Sequence, residues 1–480
     1  MSVQIDQLLD DAAMQQFITK GYVQVRAALP AEFHCQVRER LDAVHDSVGN
    51  PGNNILPLIP EIGQVFEDDA VRGALTSLLG PDYFMHPHRY GHSSPPGSPD
   101  QTWHKDDYIQ DQNARHHRCR WVMAFYYPQD VTLDMGPTAL LPGRQHHNSI
   151  SDTDHTRTTE EELGVCGPEG TVTIVNFDVW HRRMANRSDR KRYMMKFMFV
   201  RMSDPEAPTW NNQSGDWPEG KGYLGNAVWN WHLGSASRRS LANGSGTLDA
   251  ALNDLRHEDE SRRLEAEYEA SQFGESAVGG LIDALAAHIE NASGDNTDKC
   301  PANPAGGNPG DIVSVQGLAA IGKASVPALV ELLTGGARTW QHRSAAAAAL
   351  GNIGPQAAAA VEGLASAVQD GDKWVRRNAS EALGVIGICP QDGAASLIEA
   401  VSDEVVQVRW NALLALARLG EPLDDAVPAI SRALADEDRY TRFYASLALR
   451  RIGTGRALDS LYSDLMSARW CPVTTVATPY

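Results

Sequence analysis

Four segments in the C-terminal half of this 480-residue chain match one another position by position. They read HRSAAAAALGNIG (residues 342–354), VRRNASEALGVIG (375–387), VRWNALLALARLG (408–420) and TRFYASLALRRIG (441–453). Each copy starts 33 residues after the previous one, carries arginine at its second position and ends on glycine. A period of this length is typical of stacked helix pairs, because one unit cannot bury its apolar face without its neighbours. The sequence therefore predicts an α-solenoid in this part of the chain.

The residues shared by the copies also predict how each unit is built. A helix can end at the final glycine, where a left-handed C-cap needs no β-carbon. The arginines are expected to bond within the solenoid rather than to bind a ligand. An aspartate six residues before three of the arginines is expected to cap the next helix; these are Asp370, Asp403 and Asp436. The same arginine-to-glycine offset at Arg263 and Gly274, and a degenerate copy ending at Gly322, bring the count to about six units.

The residues before the repeats show a different pattern. Between about residues 83 and 201, runs such as RWVMAFYY, TVTIVNF and RYMMKFMFVR are rich in β-branched and aromatic residues and are separated by glycine and proline turns. Short strands at this spacing predict a barrel or sandwich of the jelly-roll kind. The next segment contains four tryptophans, which predicts a connector packed between two domains, with a substrate lid as the alternative; they are Trp210, Trp217, Trp229 and Trp231.

The predicted fold is therefore multidomain, as the length of 480 residues also indicates. We expect an N-terminal double-stranded β-helix (jelly-roll) domain with flanking helices at residues 1–205. The Trp-rich connector follows at 206–244, and an all-α repeat solenoid occupies 245–470. Because each domain is large enough to bury its own core, a bound metal would serve function rather than folding.

Composition limits the classes of partner. The net charge of -19 disfavours nucleic acid and anionic membranes, because both require a basic surface. Six cysteines lie far apart without a C-x-x-C pair, which argues against a disulfide framework and a thiolate zinc site and favours a reduced, cytoplasmic setting. The N-terminus lacks a basic region followed by an apolar run, and there is no stretch of about 18 apolar residues, so we expect a soluble protein that is not exported.

The stretch QTWHKDDY at 101–108 contains His104 and Asp106 two positions apart. On a strand these side chains point the same way and can reach one ion, although a solvent-exposed loop would have the same sequence. His181 follows the apolar strand TVTIVNFDVW and can supply the third ligand of a two-histidine, one-carboxylate iron site. Arg192, on the next strand, can pair in bidentate fashion with a dicarboxylate or form a structural ion pair. A second His-x-Asp triplet begins at His257, where a helix start is expected.

Residues 10–205 resemble the phytanoyl-CoA dioxygenase family of Fe(II)- and 2-oxoglutarate-dependent oxygenases. The resemblance rests on FITKGYVQVRAALP at 17–30, the triplet at 104–106, GPTALLPGRQHH at 136–147, and the stretch from His181 through Asn186 and Ser188 to Arg192. It implies that His104, Asp106 and His181 bind iron and that Arg192 holds 2-oxoglutarate. The sequence departs from the family at Lys105, where members often carry glutamine, and at Phe125, where many carry tryptophan. Residues 245–470 resemble HEAT-like repeats of the phycobilisome-lyase type.

The resemblance implies an oxidoreductase, a dioxygenase that uses Fe(II), 2-oxoglutarate and dioxygen and releases succinate. Because halogenating relatives lack the carboxylate ligand, the presence of Asp106 favours hydroxylation or another hydrogen-abstraction outcome on a small-molecule substrate. A rival hypothesis is a non-catalytic HEAT-repeat scaffold that carries a degenerate jelly-roll. The HEAT repeats are expected to bind a protein partner, to cover the active site or to support self-association.

Overall fold

The structure is a computed structural model, and it describes residues 3–106, 116–148, 150, 161–213, 215–218, 220–234, 246–292, 308–336, 338–388, 391–420 and 423–467. The chain forms two compact units. The first comprises Met1–Gly307 with Asp311–Ile321, and the second comprises Asn308–Gly310 with Gly322–Tyr480. The domain limits predicted from sequence stay predictions.

Five helices precede most of the strands. They are α1 (Asp11–Lys20), α2 (Ala31–Val48), α3 (Ile55–Leu58), α4 (Gly63–Glu67) and α5 (Asp69–Leu79). Helix α1 starts where the Asp10 side chain accepts a hydrogen bond from the Ala13 amide at 2.8 Å. It ends at Gly21, whose φ of 81° is unfavourable for residues with a β-carbon. The Asp68 carboxylate caps α5 in the same way as Asp10 caps α1.

In the part of the first unit that the structure describes, nine strands form two antiparallel sheets. The strands are β1 (Tyr22–Arg26), β2 (Tyr83–Met85), β3 (Tyr90–Ser94), β4 (Trp121–Tyr126), β5 (Thr138–Leu140), β6 (Leu163–Gly164), β7 (Thr171–Asn176), β8 (His181–Arg183) and β9 (Arg192–Arg201). The larger sheet has the order β1-β7-β4-β9-β2, with β3 also paired to β9, and the smaller has the order β6-β5-β8. This architecture confirms the predicted jelly-roll with flanking helices.

The central strands of the larger sheet are buried on both faces, which explains their nearly continuous apolar sequences. Met123 and Phe125 of β4 point into a core that also contains Leu140 of the smaller sheet. Ala124 and Tyr126 point the opposite way, into a core that includes side chains of α1, α2 and α5. The candidate site lies on the first of these faces, inside the jelly-roll.

Three tryptophans of the tryptophan-rich segment are buried, and the position between two domains predicted for this segment stays a prediction. Trp210, Trp217 and Trp229 join the core beneath α1 and α5, and the indole of Trp210 donates to the Asp11 carboxylate at 2.7 Å. The segment contains α6 (Tyr223–Leu233), which is followed by α7 (Leu248–Asp254), α8 (Glu260–Ser271), α9 (Glu275–Ala292) and α10 (Val315–Ile321). Helix α6 begins where the backbone amide of Tyr223 donates to the Glu265 carboxylate of α8 at 2.6 Å.

Helix α8 carries a buried carboxyl, that of Glu267, which is 2% exposed. Burial raises the pKa of Glu267 to about 8 from 4.5, against the opposing effect of backbone amides. The folded protein therefore binds this proton more tightly than the unfolded chain, and stability falls as pH rises through this window. Glu267→Gln cannot ionise at this position, so we expect it to escape this pH-dependent loss of stability. The melting temperature of the variant minus that of the wild type should therefore increase from pH 5 to pH 8. A difference that does not change with pH, measured by thermal unfolding, would contradict this.

The described residues of the second unit form nine further helices. They are α11 (Val326–Thr334), α12 (Trp340–Ile353), α13 (Val361–Ala367), α14 (Lys373–Ile386), α15 (Gln391–Ala400), α16 (Val406–Leu419), α17 (Val427–Ala433), α18 (Arg439–Ile452) and α19 (Gly455–Ser467). The alanine-rich repeat segments form α12, α14, α16 and α18, and each of these helices ends at its predicted glycine. All four glycines have positive φ, between 66° and 73°; they are Gly354, Gly387, Gly420 and Gly453. The predicted solenoid of helix pairs is thus confirmed.

The repeat arginines bond within the solenoid, as predicted, but their aspartate partners do not cap helices. Three of the four repeat arginines pair with the aspartate of the following unit, and the Nε–Oδ2 distances are 2.7 Å for Arg343–Asp370, 2.8 Å for Arg376–Asp403 and 3.1 Å for Arg409–Asp436. The N-cap residues are instead Asp372, Val405 and Asp438. The capping prediction was wrong because the aspartates accept the amide two residues later and close the turn before the helix.

Two observations bear on the cellular setting. By length and hydropathy alone, one segment of the described chain, Val315–Thr334, could cross a membrane, with a mean hydropathy of 1.3. Half of this window is buried within the protein, and a 3-10 turn at Gly322–Ser325 interrupts its α-helix, so it is weak evidence for a membrane span. Within the described residues the cysteines Cys35, Cys119 and Cys166 are free thiols.

Candidate active site

Backbone pairing brings the two predicted histidine ligands together. The backbone amide of His104 donates to the carbonyl of His181 at 3.0 Å, and the amide of His181 donates to the carbonyl of His104 at 3.0 Å. Farther along, the Gln101 amide donates to the Arg183 carbonyl at 2.9 Å. Residues 101–104 therefore extend the smaller sheet beside β8, which explains how ligands 77 positions apart in the sequence meet.

His104, Asp106 and His181 form one cluster whose candidate ligand atoms all lie within 4.8 Å of one another. The two imidazole centroids are 4.5 Å apart, and Asp106 Oδ1 lies 3.8 Å from His181 Nε2. No other group of three such side chains that could hold a metal is found among the residues that the structure describes. The predicted site residues are thus placed together, on the interior face of the jelly-roll.

Hydrogen bonds to the backbone fix the orientation of both imidazoles. Nδ1 of His104 lies 2.9 Å from the carbonyl oxygen of Thr102, and Nδ1 of His181 lies 3.1 Å from that of Val179. Because a carbonyl can only accept, Nδ1 donates in each case, and Nε2 is the ring nitrogen that remains for a metal. Two imidazoles and one carboxylate, with candidate ligand atoms within 4.8 Å of one another, match the donor set of a non-haem iron site.

The charges around the cluster suit metal binding. Burial alone would raise the pKa of the Asp106 carboxyl, but the ammonium of Lys196 and the imidazole of His181 hold it well below its usual range. Burial lowers the pKa of His181 to about 4, against the opposing effect of Asp106. Near neutral pH the carboxylate is therefore ionised and the His181 ring is neutral, which are the forms that bind metals.

Lys196 was not among the predicted site residues. Its Nζ donates to Asp106 Oδ2 at 2.8 Å, and both side chains are buried. Lys196 lies four residues after Arg192 on β9, so both side chains point to the same face of the sheet. The sequence signal was a lysine inside the run RYMMKFMFVR, which is otherwise apolar between its terminal arginines. The sequence did not indicate the carboxylate partner of this lysine, 90 residues away.

The structure accounts for the two departures from the family pattern. Lys105 points away from the face shared by its two neighbours, and its Nζ donates to Asp178 Oδ2 at 2.7 Å and to the Gln145 carbonyl at 3.0 Å. This buried ion pair ties the strand that carries two candidate ligands to the turn that precedes His181. Phe125 faces the interior of the jelly-roll, with its ring centroid 6.1 Å from that of His181.

Arg192 lies buried at one end of the same interior face. Its Nε and Nη2 donate to the carbonyl oxygen of Gly136 at 3.1 and 2.7 Å. A β-carbon at Gly136 would lie 2.4 Å from the Met184 carbonyl oxygen, so the turn requires glycine. Nη1 of Arg192 and Oγ of Ser94, which faces Arg192 across β3 and β9, are buried and have no hydrogen-bond partner among the described residues.

Like the role of Lys196, these two unpaired groups could not be predicted from the sequence. A buried guanidinium edge and a hydroxyl without partners cost free energy unless an acceptor occupies the space before them. A carboxylate is the ligand that satisfies both at once. Within the described residues Arg192 forms no salt bridge, so the structural ion pair considered as an alternative is not found there.

His257 is not part of the site. It is exposed, and its Nδ1 accepts the backbone amide of Asp259 at 3.0 Å. Asp259 is the N-cap of α8, where its side chain accepts the amide of Ser261. The second triplet is therefore a helix start, as predicted.

Comparison with known families identifies both parts of the chain. Residues 17–194 match the model of the phytanoyl-CoA dioxygenase (PhyH) family. Residues 326–406, 361–425 and 394–468 match the model of HEAT repeats. The chain thus carries a phytanoyl-CoA dioxygenase domain followed by HEAT repeats, and the first of these contains all four predicted site residues.

Several solved structures are similar to part of the chain. The nickel complex of the non-heme monooxygenase ThoJ is 17% identical, with 44% of this chain and 90% of that chain covered and a TM-score of 0.33. HygX from Streptomyces hygroscopicus with nickel, 2-oxoglutarate and hygromycin B is 15% identical, with coverage of 40% and 88% and a TM-score of 0.34. EctD from S. alaskensis with 2-oxoglutarate and 5-hydroxyectoine is 15% identical, with coverage of 42% and 80% and a TM-score of 0.35. No curated protein matches the sequence.

Proposed function

We propose that the protein is an Fe(II)- and 2-oxoglutarate-dependent dioxygenase that hydroxylates an unactivated C–H bond of a small-molecule metabolite. The proposal rests on one observation above all, the convergence of His104, Asp106 and His181 with their candidate ligand atoms within 4.8 Å. The phytanoyl-CoA dioxygenase domain supports the same reading. When bound, iron with 2-oxoglutarate and dioxygen supplies the oxidising chemistry and yields succinate and carbon dioxide.

The side chains of the chain have separate tasks in this proposal. His104, Asp106 and His181 hold the metal through two Nε2 atoms and a carboxylate oxygen. Lys196 fixes the second oxygen of Asp106 and thereby its orientation. The unpaired Nη1 of Arg192 and the neighbouring Ser94 hydroxyl receive the distal carboxylate of 2-oxoglutarate, which orients the cosubstrate toward the metal.

The rival proposal is a non-catalytic scaffold with a degenerate jelly-roll. Degeneration is expected to remove at least one ligand or to fill the cosubstrate position with an internal partner. All three ligands are present, and the Arg192 edge is left without an internal partner among the described residues. We therefore prefer the enzyme, and we propose that its HEAT repeats bind a protein or support self-association.

The experiment that tests this function is a metabolite screen scored by succinate release in the presence of Fe(II), 2-oxoglutarate and ascorbate. Arg192→Lys adds a second test, because lysine offers a point charge where arginine offers a planar pair of donors. We expect the KM for 2-oxoglutarate to rise by about tenfold or more, and that for the organic substrate to change much less. Arg187→Lys, at an exposed position, is the matched control. Equal effects on both KM values would remove Arg192 from the cosubstrate site.

A further inference from the structure

A cavity of about 470 Å³ lies inside the first unit, apart from the three candidate metal ligands. One wall comes from the jelly-roll loops, with His117, His146 and Asp178. The other wall comes from α8, α9 and residues 311–316. The volume suits a small molecule. No residue of the metal cluster lines it, so the function proposed above leaves this cavity unexplained.

The cavity contains a buried carboxyl without a counter-charge. Oε2 of Glu267 accepts the backbone amides of Ser314 at 3.0 Å and Gly317 at 3.3 Å. Among the residues that the structure describes, no lysine, arginine or histidine forms an ion pair with it. A buried carboxylate is stable only when it is paired, and otherwise it stays protonated. The fold therefore positions a buried carboxyl that can form an ion pair with a positively charged ligand.

Three of the five histidines that line the cavity do not supply that positive charge. Nδ1 of His117 lies 2.7 Å from the Tyr268 hydroxyl, and burial lowers the pKa of His117 to about 3. Burial also lowers the pKa of His146 well below its usual value. Nε2 of His288 on α9 is buried and has no hydrogen-bond partner in the described part of the chain. Near neutral pH these rings are uncharged and can accept hydrogen bonds from a ligand.

The two arginines of the lining lie toward the outside. Arg256 is exposed, and Nη1 of Arg263 is held by the carbonyl oxygens of His257 and Glu258 at 2.7 and 2.9 Å. The inner part of the cavity thus offers a carboxyl, neutral imidazoles and amides. This set is rich in acceptors, and it favours a donor-rich, positively charged ligand over an anionic one.

We propose that this cavity binds a small organic cation, through an ammonium or guanidinium group paired with Glu267. The cavity adjoins the metal-binding strand, since Asp178 lines it and accepts from Lys105, the residue between two candidate ligands. The bound cation is therefore placed either to be the substrate or to act as an effector. Its binding needs neither iron nor 2-oxoglutarate, so the proposal stands apart from the proposed oxygenase activity.

The test measures the binding of a defined panel of compounds to the full chain by ligand-observed NMR and calorimetry. The panel contains alkyl amines, diamines and guanidines, with the alcohol and carboxylate of matched carbon skeleton. We expect amines or guanidines to bind and the matched alcohols and carboxylates not to bind. Absence of any cation binding to the wild type, or equal binding of the matched alcohols, would overturn the proposal.

Three variants locate the site. Glu267→Gln keeps an acceptor for the two backbone amides but removes the charge, and it should weaken binding by about 30-fold or more, as expected for loss of one partner of a buried charge pair. Ala287→Phe on α9 should block the cavity by volume alone. Glu290→Gln, exposed on the same helix and outside the cavity, is the control and should bind as the wild type. Unchanged affinity in both cavity variants would place the cation elsewhere and refute the assignment.

The bound cation is then added to the succinate-release assay. A substrate is consumed in proportion to succinate and gains the mass of one oxygen atom, whereas an effector changes the rate of succinate release without being consumed. If the chain binds the cation but releases no succinate under any condition, the oxygenase proposal fails while the binding site remains.

Discussion

Replacing His104, Asp106 or His181 by alanine is expected to abolish Fe(II)-dependent succinate release. The ligand atoms converge within 4.8 Å, and two remaining ligands would leave the ion weakly held and badly oriented. The expected loss of turnover is at least about a hundredfold, at the upper end of the effect of disturbing a metal site. The measurement is succinate formation at saturating 2-oxoglutarate, with Ni²⁺ affinity measured in parallel as a readout that needs no turnover.

Two controls make this result specific. His257→Ala changes an exposed helix-start residue outside the metal cluster and should leave metal affinity unchanged. Asp106→Asn preserves the shape of the side chain beside Lys196, so a loss of metal binding in that variant is not a packing defect. Full activity in any of the three alanine variants would exclude that residue from the site, and loss of Ni²⁺ binding in His257→Ala alone would show that the wrong triplet was chosen.

The features that depend on a regular spacing of residues could be predicted from the sequence. The period of two places His104 and Asp106 on one face, and the period of 33 places the repeat glycines at helix ends. The resemblance to a known family supplied the distant partner His181. The fold class and the grouping of the three candidate metal ligands could therefore be predicted, since each follows from local geometry or from a motif.

Contacts that depend on loop conformation could not be predicted from the sequence. The partner of Lys105 is Asp178, 73 residues away, and only the turn that precedes β8 brings the two together. Asp370 was taken for a helix cap because one sequence shows its distance to the next helix but not the arginine of the preceding unit that reaches it. The cavity around Glu267 has the same origin, because it forms only when jelly-roll loops meet α8 and α9.

The segment after residue 205 belongs to the core that supports the site. The Thr209 hydroxyl donates to the Ser77 carbonyl at 3.0 Å, and the Trp210 indole donates to Asp11. Trp210 and Trp229 pack at a centroid distance of 5.0 Å within the core that covers the outer face of the larger sheet. Replacing a buried tryptophan by alanine lowers the free energy of unfolding by about 3–5 kcal/mol. Three such tryptophans therefore account for a free energy similar to the whole free energy of unfolding of a typical domain, which is about 5–15 kcal/mol.

A chain that ends at residue 205 should therefore be insoluble or unfolded, although it retains His104, Asp106, His181 and Arg192. A chain that ends at residue 321, the limit of the first compact unit, should be soluble and should bind Ni²⁺ as the full chain does. The comparison is made by soluble yield, thermal unfolding and metal affinity. Because both truncations lack the HEAT repeats of the second unit, a difference between them reports the tryptophan-rich segment and α6–α10 alone. A soluble, monomeric 1–205 chain that released succinate as fast as the full protein would show that this core is dispensable.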